Sequence, residues 1–331
     1  MINLIFRLDL DNGEYAGTGH FKRVEMIYKY LKKKHSNINF FFLYKELTNS
    51  KTLLDSLSRK NHIIFDKNFE NKLSFVKKND IILCDTPFGI DQDLKKFITS
   101  KNLKKIILID DLNKPLIKNC TIINGIIYFK KQLIKSKNIK LYQGPNYVLL
   151  NKNYVPTKIK KENKIFTILV CLGGTDLNNN LSRIVKILDN ISNIKILLII
   201  GSQIKNDNKI FNLPKKKNII FIIGKKNIYK YFHKADIALT AGGITMFESI
   251  SLNKPTLVYQ TYSHQKYAIN YFRERKLIQL IGKNHKIYHK DILNLINYYK
   301  KLRSYKTKYK KNMNNSSYNK IMNIIEKIIN K

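Results

Sequence analysis

Short aliphatic and aromatic runs alternate with helix-length amphipathic segments, and this alternation occurs twice along the 331 residues. No other property of the chain restricts its fold as strongly. In the first series, runs at residues 2–6, 38–44, 62–65, 81–84, 106–109 and 121–123 have the length and composition of buried strands. The segments between them carry apolar residues at three-to-four spacing, as crossover helices over a parallel sheet do. The second series places strands at 165–171, 194–200, 219–222, 237–240, 256–259 and 278–281. Gly144-Pro145-Asn146-Tyr147 and the charged, proline-containing stretch 151–164 read as the connection between the two. The expected organisation is therefore α/β: a Rossmann-like domain over 1–150, a linker over 151–164, a second such domain over 165–303 and a basic helical tail over 304–331. Two domains of similar size predict a cleft between them, a preferred place for small molecules.

Composition narrows the class. At 44% hydrophobic and 11% aromatic residues the chain has ample material for two cores. A formal charge of +39 ordinarily points to nucleic acid or an anionic membrane. Here the lysines run along the whole length, interleaved with Asn and Ile, with no arginine-rich block, zinc-finger spacing or aromatic RNA-binding signature. Such a pattern is what AT-rich coding writes onto solvated faces, so no specific nucleic-acid partner is expected. A basic surface does attract an anionic small molecule. Cys84, Cys120 and Cys171 are far apart, odd in number and without a CxxC pair, which suits reduced core thiols in a cytoplasmic protein. No signal-peptide pattern opens the sequence, and runs such as 194–200 are too short to cross a bilayer, so no transmembrane segment is expected.

Several motifs fall at the carboxyl ends of expected strands, where open parallel sheets bind ligands. Ala16-Gly17-Thr18-Gly19-His20 lies between the first strand and a helix expected over 21–31. A helix N-terminus disfavours a second positive charge on the ring, leaving a neutral imidazole able to accept a proton. His20 serves either as that base or as a helix cap, and the motif alone leaves both open. Arg7 and Asp9 flank the end of the first strand and are expected to brace the His20 loop. Asp85 and Asp110-Asp111 follow the strands at 81–84 and 106–109, placed to orient His20, bind hydroxyls or cap turns.

In the second series, Gly173-Gly174-Thr175-Asp176 ends the first strand. Glycines there let backbone N–H groups approach a phosphate, while an aspartate-capped turn is the plainer alternative. Gly242-Gly243-Ile244-Thr245 opens a helix whose first turn can hold a diphosphate, and Glu248 one turn on can accept from ribose hydroxyls or simply favour the helix dipole. His264-Gln265 opens another helix and either closes over a ligand or sits in an exposed loop. No Walker P-loop is present, and Gly17-Thr18-Gly19 does not complete the GxGxxG fingerprint because Lys22 stands at its third position. His285 and His289 lack acidic or thiol partners, so neither metal nor other cofactor is expected.

Taken in order, Arg7-x-Asp9, Gly17-Thr18-Gly19-His20-x-x-Arg23, Ile109-Asp110-Asp111, Gly144-Pro145-x-Tyr147-x-Leu149-Leu150, Gly173-Gly174-x-Asp176, Gly243-x-Thr245-x-x-Glu248 and Gln265 resemble one family. It is the UDP-2,4-diacetamido-2,4,6-trideoxy-β-L-altropyranose hydrolases of pseudaminic acid biosynthesis, and the likeness covers about residues 1–280. The resemblance implies the GT-B architecture of the peptidoglycan N-acetylglucosaminyltransferase, with UDP held by the second domain. It implies cleavage of a UDP-sugar at its anomeric carbon by a cytoplasmic enzyme of polysaccharide biosynthesis or flagellin glycosylation. UDP is a good leaving group, so no metal is required, single displacement by water inverts the anomeric centre, and a monomer is expected. By this resemblance His20 matches the catalytic histidine and Glu248 the ribose-binding glutamate. Gly173, Gly174, Gly243 and Thr245 match the diphosphate region. Two extra residues between Asp9 and Gly17, and Thr86-Pro87 where the family has His-Tyr, lie on the sugar side and leave the sugar and the acceptor open. A glycosyltransferase of the same architecture, a basic nucleic-acid-binding protein and an inactive sugar-nucleotide-binding subunit are the competing readings.

Overall fold

The computed structural model describes residues 1–9, 19–45, 57, 61–86, 89–112, 116–128, 138–154, 165–176, 178–201, 204, 206–224, 227–283, 286–302 and 317–330. Gly17, the preceding loop, Pro87, His285 and most of the expected linker lie outside these residues. The chain divides into two units, Met1–Asn151 with Ser316–Lys331, and Lys152–Asn315. Each unit is built on a mostly parallel sheet covered by helices, which makes this a two-domain α/β fold of the Rossmann-like GT-B kind.

The first unit is built on seven parallel strands: β1 Ile2–Asp9, β2 Ile38–Lys45, β3 His62–Ile64, β4 Ile81–Asp85, β5 Lys105–Ile109, β6 Thr121–Asn124 and β7 Lys140–Gln143. They lie in the order β3-β2-β1-β4-β5-β6-β7, so the direction of winding reverses between β1 and β4. Strand periodicity sorts the side chains onto two faces. Leu4, Phe6, Leu8, Ile81 and Leu83 pack with Phe21, Val24, Ile27 and Leu31 of α1 (Gly19–Lys34). Ile5, Ile82, Cys84 and Leu108 pack on the other face with Leu94, Phe97 and Ile98 of α3 (Gln92–Ser100), while a one-turn helix, α2 (Phe69–Lys72), adds Phe69.

The second unit repeats the order. Strands β8 Phe166–Cys171, β9 Ile194–Ile200, β10 Ile219–Ile223, β11 Ile237–Ala241, β12 Thr256–Gln260, β13 Gln279–Lys283 and β14 Lys286–Ile287 form the sheet β10-β9-β8-β11-β12-β13-β14, with only β14 antiparallel among them. Its winding reverses between β8 and β11. The helices are α4 Asn180–Leu188, α5 Tyr229–Lys234, α6 Ile244–Ser251, α7 Lys266–Glu274 and α8 His289–Leu302.

Three features differ from the sequence reading. β7 and β14 were not expected, since neither carries an apolar run. Tyr154, assigned to the linker, is buried in the second unit beside Leu169, Phe232 and Leu252. The helix of the expected tail, α9 (Ser317–Ile329), joins the first unit's core through Ile321, Met322, Ile325 and Ile329.

Candidate active site

At the winding reversal of the first unit, β4 ends with Asp85 on the face that also carries Leu83 and therefore α1. Its side chain is fully buried. His20, the second residue of α1, places Nδ1 2.5 Å from Asp85 Oδ1. Arg23, one turn further along, donates through Nε to Asp85 Oδ2 at 2.8 Å and through Nη2 to Oδ1 at 2.7 Å. Its Nη1 pairs with Asp110 Oδ2 at 2.7 Å. Asp110 follows β5 with φ 54°, a left-handed turn that swings its carboxylate toward Arg23. Four of the residues singled out from sequence thus form one cluster.

Burial opposes charge on Asp85, but the field of Arg23 and hydrogen bonds from Arg23 and His20 outweigh it and hold the carboxyl below its ordinary range. Burial likewise opposes charge on Arg23, and Asp110 and Asp85 overcome it and raise the guanidinium's affinity for its proton. An ionised Asp85 can only accept, so the 2.5 Å contact makes Nδ1 the donor. The Arg23 Nη2 contact to Nδ1 at 2.9 Å then joins two donors and is not a hydrogen bond. The lone pair of the neutral ring is left on Nε2, in a side chain 12% exposed. This is a histidine with a fixed tautomer and its acceptor on the nitrogen that does not face Asp85.

Arg7 and Asp9 do something different. Arg7 is buried, donates to Asp9 and, at 2.8 Å, to the Leu8 carbonyl, and lies over the Phe65 ring at 4.4 Å. They brace the end of β1, and the loop they were expected to hold lies outside the described residues. Asp111 sits against Gly89 on the face opposite α1; a Cβ at Gly89, which has φ 68°, would meet its Oδ1 at 2.7 Å. Cys84, on the same side, is pushed up to about 12, chiefly by burial, and offers no thiolate near neutrality.

In the second unit the corresponding strand ends gather the other residues. Asp176 accepts from Asn180 N at 2.8 Å and Leu181 N at 3.0 Å, so it caps α4 as the plainer alternative had it. The preceding Gly173 has φ 105° and open space where a side chain would stand, and the carbonyls of Gly173 and Gly174 come so close to Gly201 that a Cβ there would overlap them. Gly243 caps α6, and the first turn of any helix presents N–H groups without intrahelical partners. A Cβ on Gly242 would run into Ile269 of α7. Thr245 and Glu248 are both buried, and Glu248 receives the hydroxyl of Tyr154, whose own ionisation is suppressed by burial and by that carboxylate. Gln265 Oε1 accepts from Thr261 N and Tyr262 N at 3.0 and 3.3 Å, fixing the turn before α7 beside Gly243. The Tyr262 hydroxyl meets Thr175 Oγ1 at 2.9 Å, tying the loop after β12 to the loop after β8, and its ring stacks on His264.

Tyr154 and Tyr262 were not found from sequence. Each acts across a long separation along the chain, and neither belongs to a periodic or glycine-rich pattern. Among the described residues no group of three His, Cys, Asp or Glu side chains is placed to hold a metal, and no helix is long and apolar enough to cross a membrane.

Residues 167–328 match the glycosyltransferase family 28 C-terminal domain. The chain is 27% identical over 209 residues to the spore coat polysaccharide biosynthesis protein SpsG of Bacillus subtilis, covering 60% of this chain and 61% of that relative's length. It is 24% identical over 260 residues to a UDP-2,4-diacetamido-2,4,6-trideoxy-β-L-altropyranose hydrolase of Campylobacter jejuni, covering 76% of this chain and 89% of that protein. The fold is similar to the crystal structure of MurG from Acinetobacter baumannii, with a TM-score of 0.63, 10% identity and coverage of 99% and 100% of the two chains.

Proposed function

We propose that this protein hydrolyses a UDP-linked amino-sugar at its anomeric carbon, releasing UDP and the free sugar. The observation that carries the reading is the buried Asp85 against His20 Nδ1, which leaves Nε2 as a proton acceptor at a topological switch point. The similarity to the Campylobacter hydrolase supports the substrate class, and the glycosyltransferase family 28 match over residues 167–328 supports a nucleotide-sugar.

In this mechanism His20 Nε2 takes a proton from water as the oxygen forms its bond to C1. The C1–O bond to the diphosphate breaks with its electron pair, so UDP leaves. Attack opposite the leaving group inverts the anomeric centre. The N–H groups at Gly242, Gly243 and Thr245, with the Gly173-Gly174 loop, meet the charge developing on the diphosphate. Glu248 holds the ribose hydroxyls, with Tyr154 steadying its carboxylate. UDP is already a good leaving group, so the residues need supply neither a general acid nor a metal. Activity should survive prolonged dialysis against EDTA.

Transfer to another hydroxyl is the second reading, favoured by the glycosyltransferase family 28 match. Incubation with a panel of UDP-amino-sugars in water, followed by NMR for UDP and free sugar, separates the two. Hydrolysis requires release of both without an added acceptor, and no release until an acceptor is supplied establishes transfer. His20→Asn should lower turnover by at least about a hundredfold while leaving UDP affinity nearly constant. Turnover near the wild-type rate in that variant would reduce His20 to a helix cap.

A further inference from the structure

The Asp85–His20 pair explains which nitrogen is free, but not why Arg23 is shared with a second carboxylate. Arg23 already makes two contacts with Asp85, yet its remaining Nη1 is held by Asp110 at 2.7 Å. Two carboxylates against one guanidinium leave the cluster with one net negative charge while His20 is neutral. Uptake of one proton by the ring brings it to neutrality. Without Asp110 the same uptake would end at one net positive charge in a largely buried place, which is unfavourable.

We infer that Asp110, acting through Arg23, is a positioning residue that matches the cluster to the uptake of a single proton by His20. The inference rests on the reading of His20 as the base. Among the described residues, the charged groups on His20 are Arg23 from its own helix and Asp85 from β4, with Asp110 joined from the loop after β5. Arg7 and Asp9 at the end of β1 pair with each other instead. Asp110 is 32% exposed, so its effect is moderated by solvent and is a tuning effect, not an all-or-none one.

Asp110→Asn is the informative change. Asparagine tolerates φ 54° as aspartate does and keeps an oxygen for Arg23 Nη1, so backbone and pairing persist while the charge goes. The measurement is the imidazole carbon–proton NMR titration of His20 in the full chain, with its signal assigned by its absence in His20→Asn. The midpoint should fall by roughly 0.2–0.7 pH unit in Asp110→Asn. Asp93→Asn, which removes an exposed carboxylate from α3, controls for net charge and should leave the midpoint in place. An unmoved midpoint in Asp110→Asn, or an equal fall in Asp93→Asn, would overturn the inference. The two readings fail separately: an unmoved midpoint with inactive His20→Asn sinks only the role of Asp110. Wild-type turnover in His20→Asn sinks the base itself.

Discussion

A histidine at the start of a helix is a useful base only when something decides which nitrogen carries the proton. Here a fully buried carboxylate decides it, and that arrangement couples the site to the stability of the first unit. Asp85 titrates below its ordinary range in the folded protein, so its ionisation favours the native state above the unfolded carboxylate value near 3.9. That contribution is lost as pH falls through the lower folded value. Urea unfolding of wild type and Asp85→Asn should therefore show a stability gap that is widest near neutral pH and narrows below about pH 4. A gap independent of pH over that range would mean that Asp85 is not held ionised by Arg23. In the second unit, Glu248→Ala should weaken UDP binding by about 1–3 kcal/mol, as loss of a hydrogen bond to a charged group does. Tyr154→Phe removes only the group that steadies the carboxylate and should cost less. Calorimetry giving an unchanged UDP dissociation constant in folded Glu248→Ala would rule out the proposed ribose contact.

At the scale of single elements, the loop after β8 joins a cap to a glycine turn. Asp176 takes two backbone N–H groups at the start of α4, and its burial raises the carboxyl's proton affinity against the pull of those hydrogen bonds. Asp176→Ala should destabilise the fold by about 0.5–2 kcal/mol in denaturant unfolding, and Asp176→Asn, which keeps one acceptor, by less. Equal losses in the two would show that packing matters here, not capping. The elements most legible in the sequence were those whose pattern repeats locally. The apolar run at 81–84 put Asp85 at a strand's carboxyl end, but only the structure extends β4 to Asp85 and sets it on the side of Leu83, beneath the helix that carries His20 and Arg23. β1 was read as ending at Phe6, because Arg7 and Asp9 break the apolar run. It continues to Asp9 because the two charges satisfy each other. β7 and β14 gave no signal, being edge strands only partly covered, and the left-handed backbone at Asp110 follows from the turn it closes. The Tyr154–Glu248 and Tyr262–Thr175 contacts were invisible for a different reason: they join distant segments, and one sequence carries no record of that pairing.

Across the whole molecule, the last helix belongs to a core that the chain began some 300 residues earlier. The sequence was read there only as a basic helical tail, and an apolar stripe on a helix does not say which surface will cover it. The structure answers with the first unit. Ile321, Met322 and Ile325 are fully buried among α1 and the sheet, Lys34 reaches Glu326 at 3.1 Å, and Lys105 Nζ donates to the Ile329 carbonyl at 3.3 Å. Removing the Ile325 side chain beyond Cβ leaves a cavity in the same cluster that carries Phe21 and Val24, neighbours of His20 and Arg23 on α1. Ile325→Ala should therefore lower stability by about 2–5 kcal/mol, the range for aliphatic-to-alanine changes in a packed core. Hydrogen exchange should quicken in α9 and in α1 and β5, two of the elements that share the cluster with it, because local opening draws on the weakest part of a cooperative core. Wild-type stability, with exchange in α1 unaltered, would show that α9 lies on the first unit without supporting the helix that carries His20.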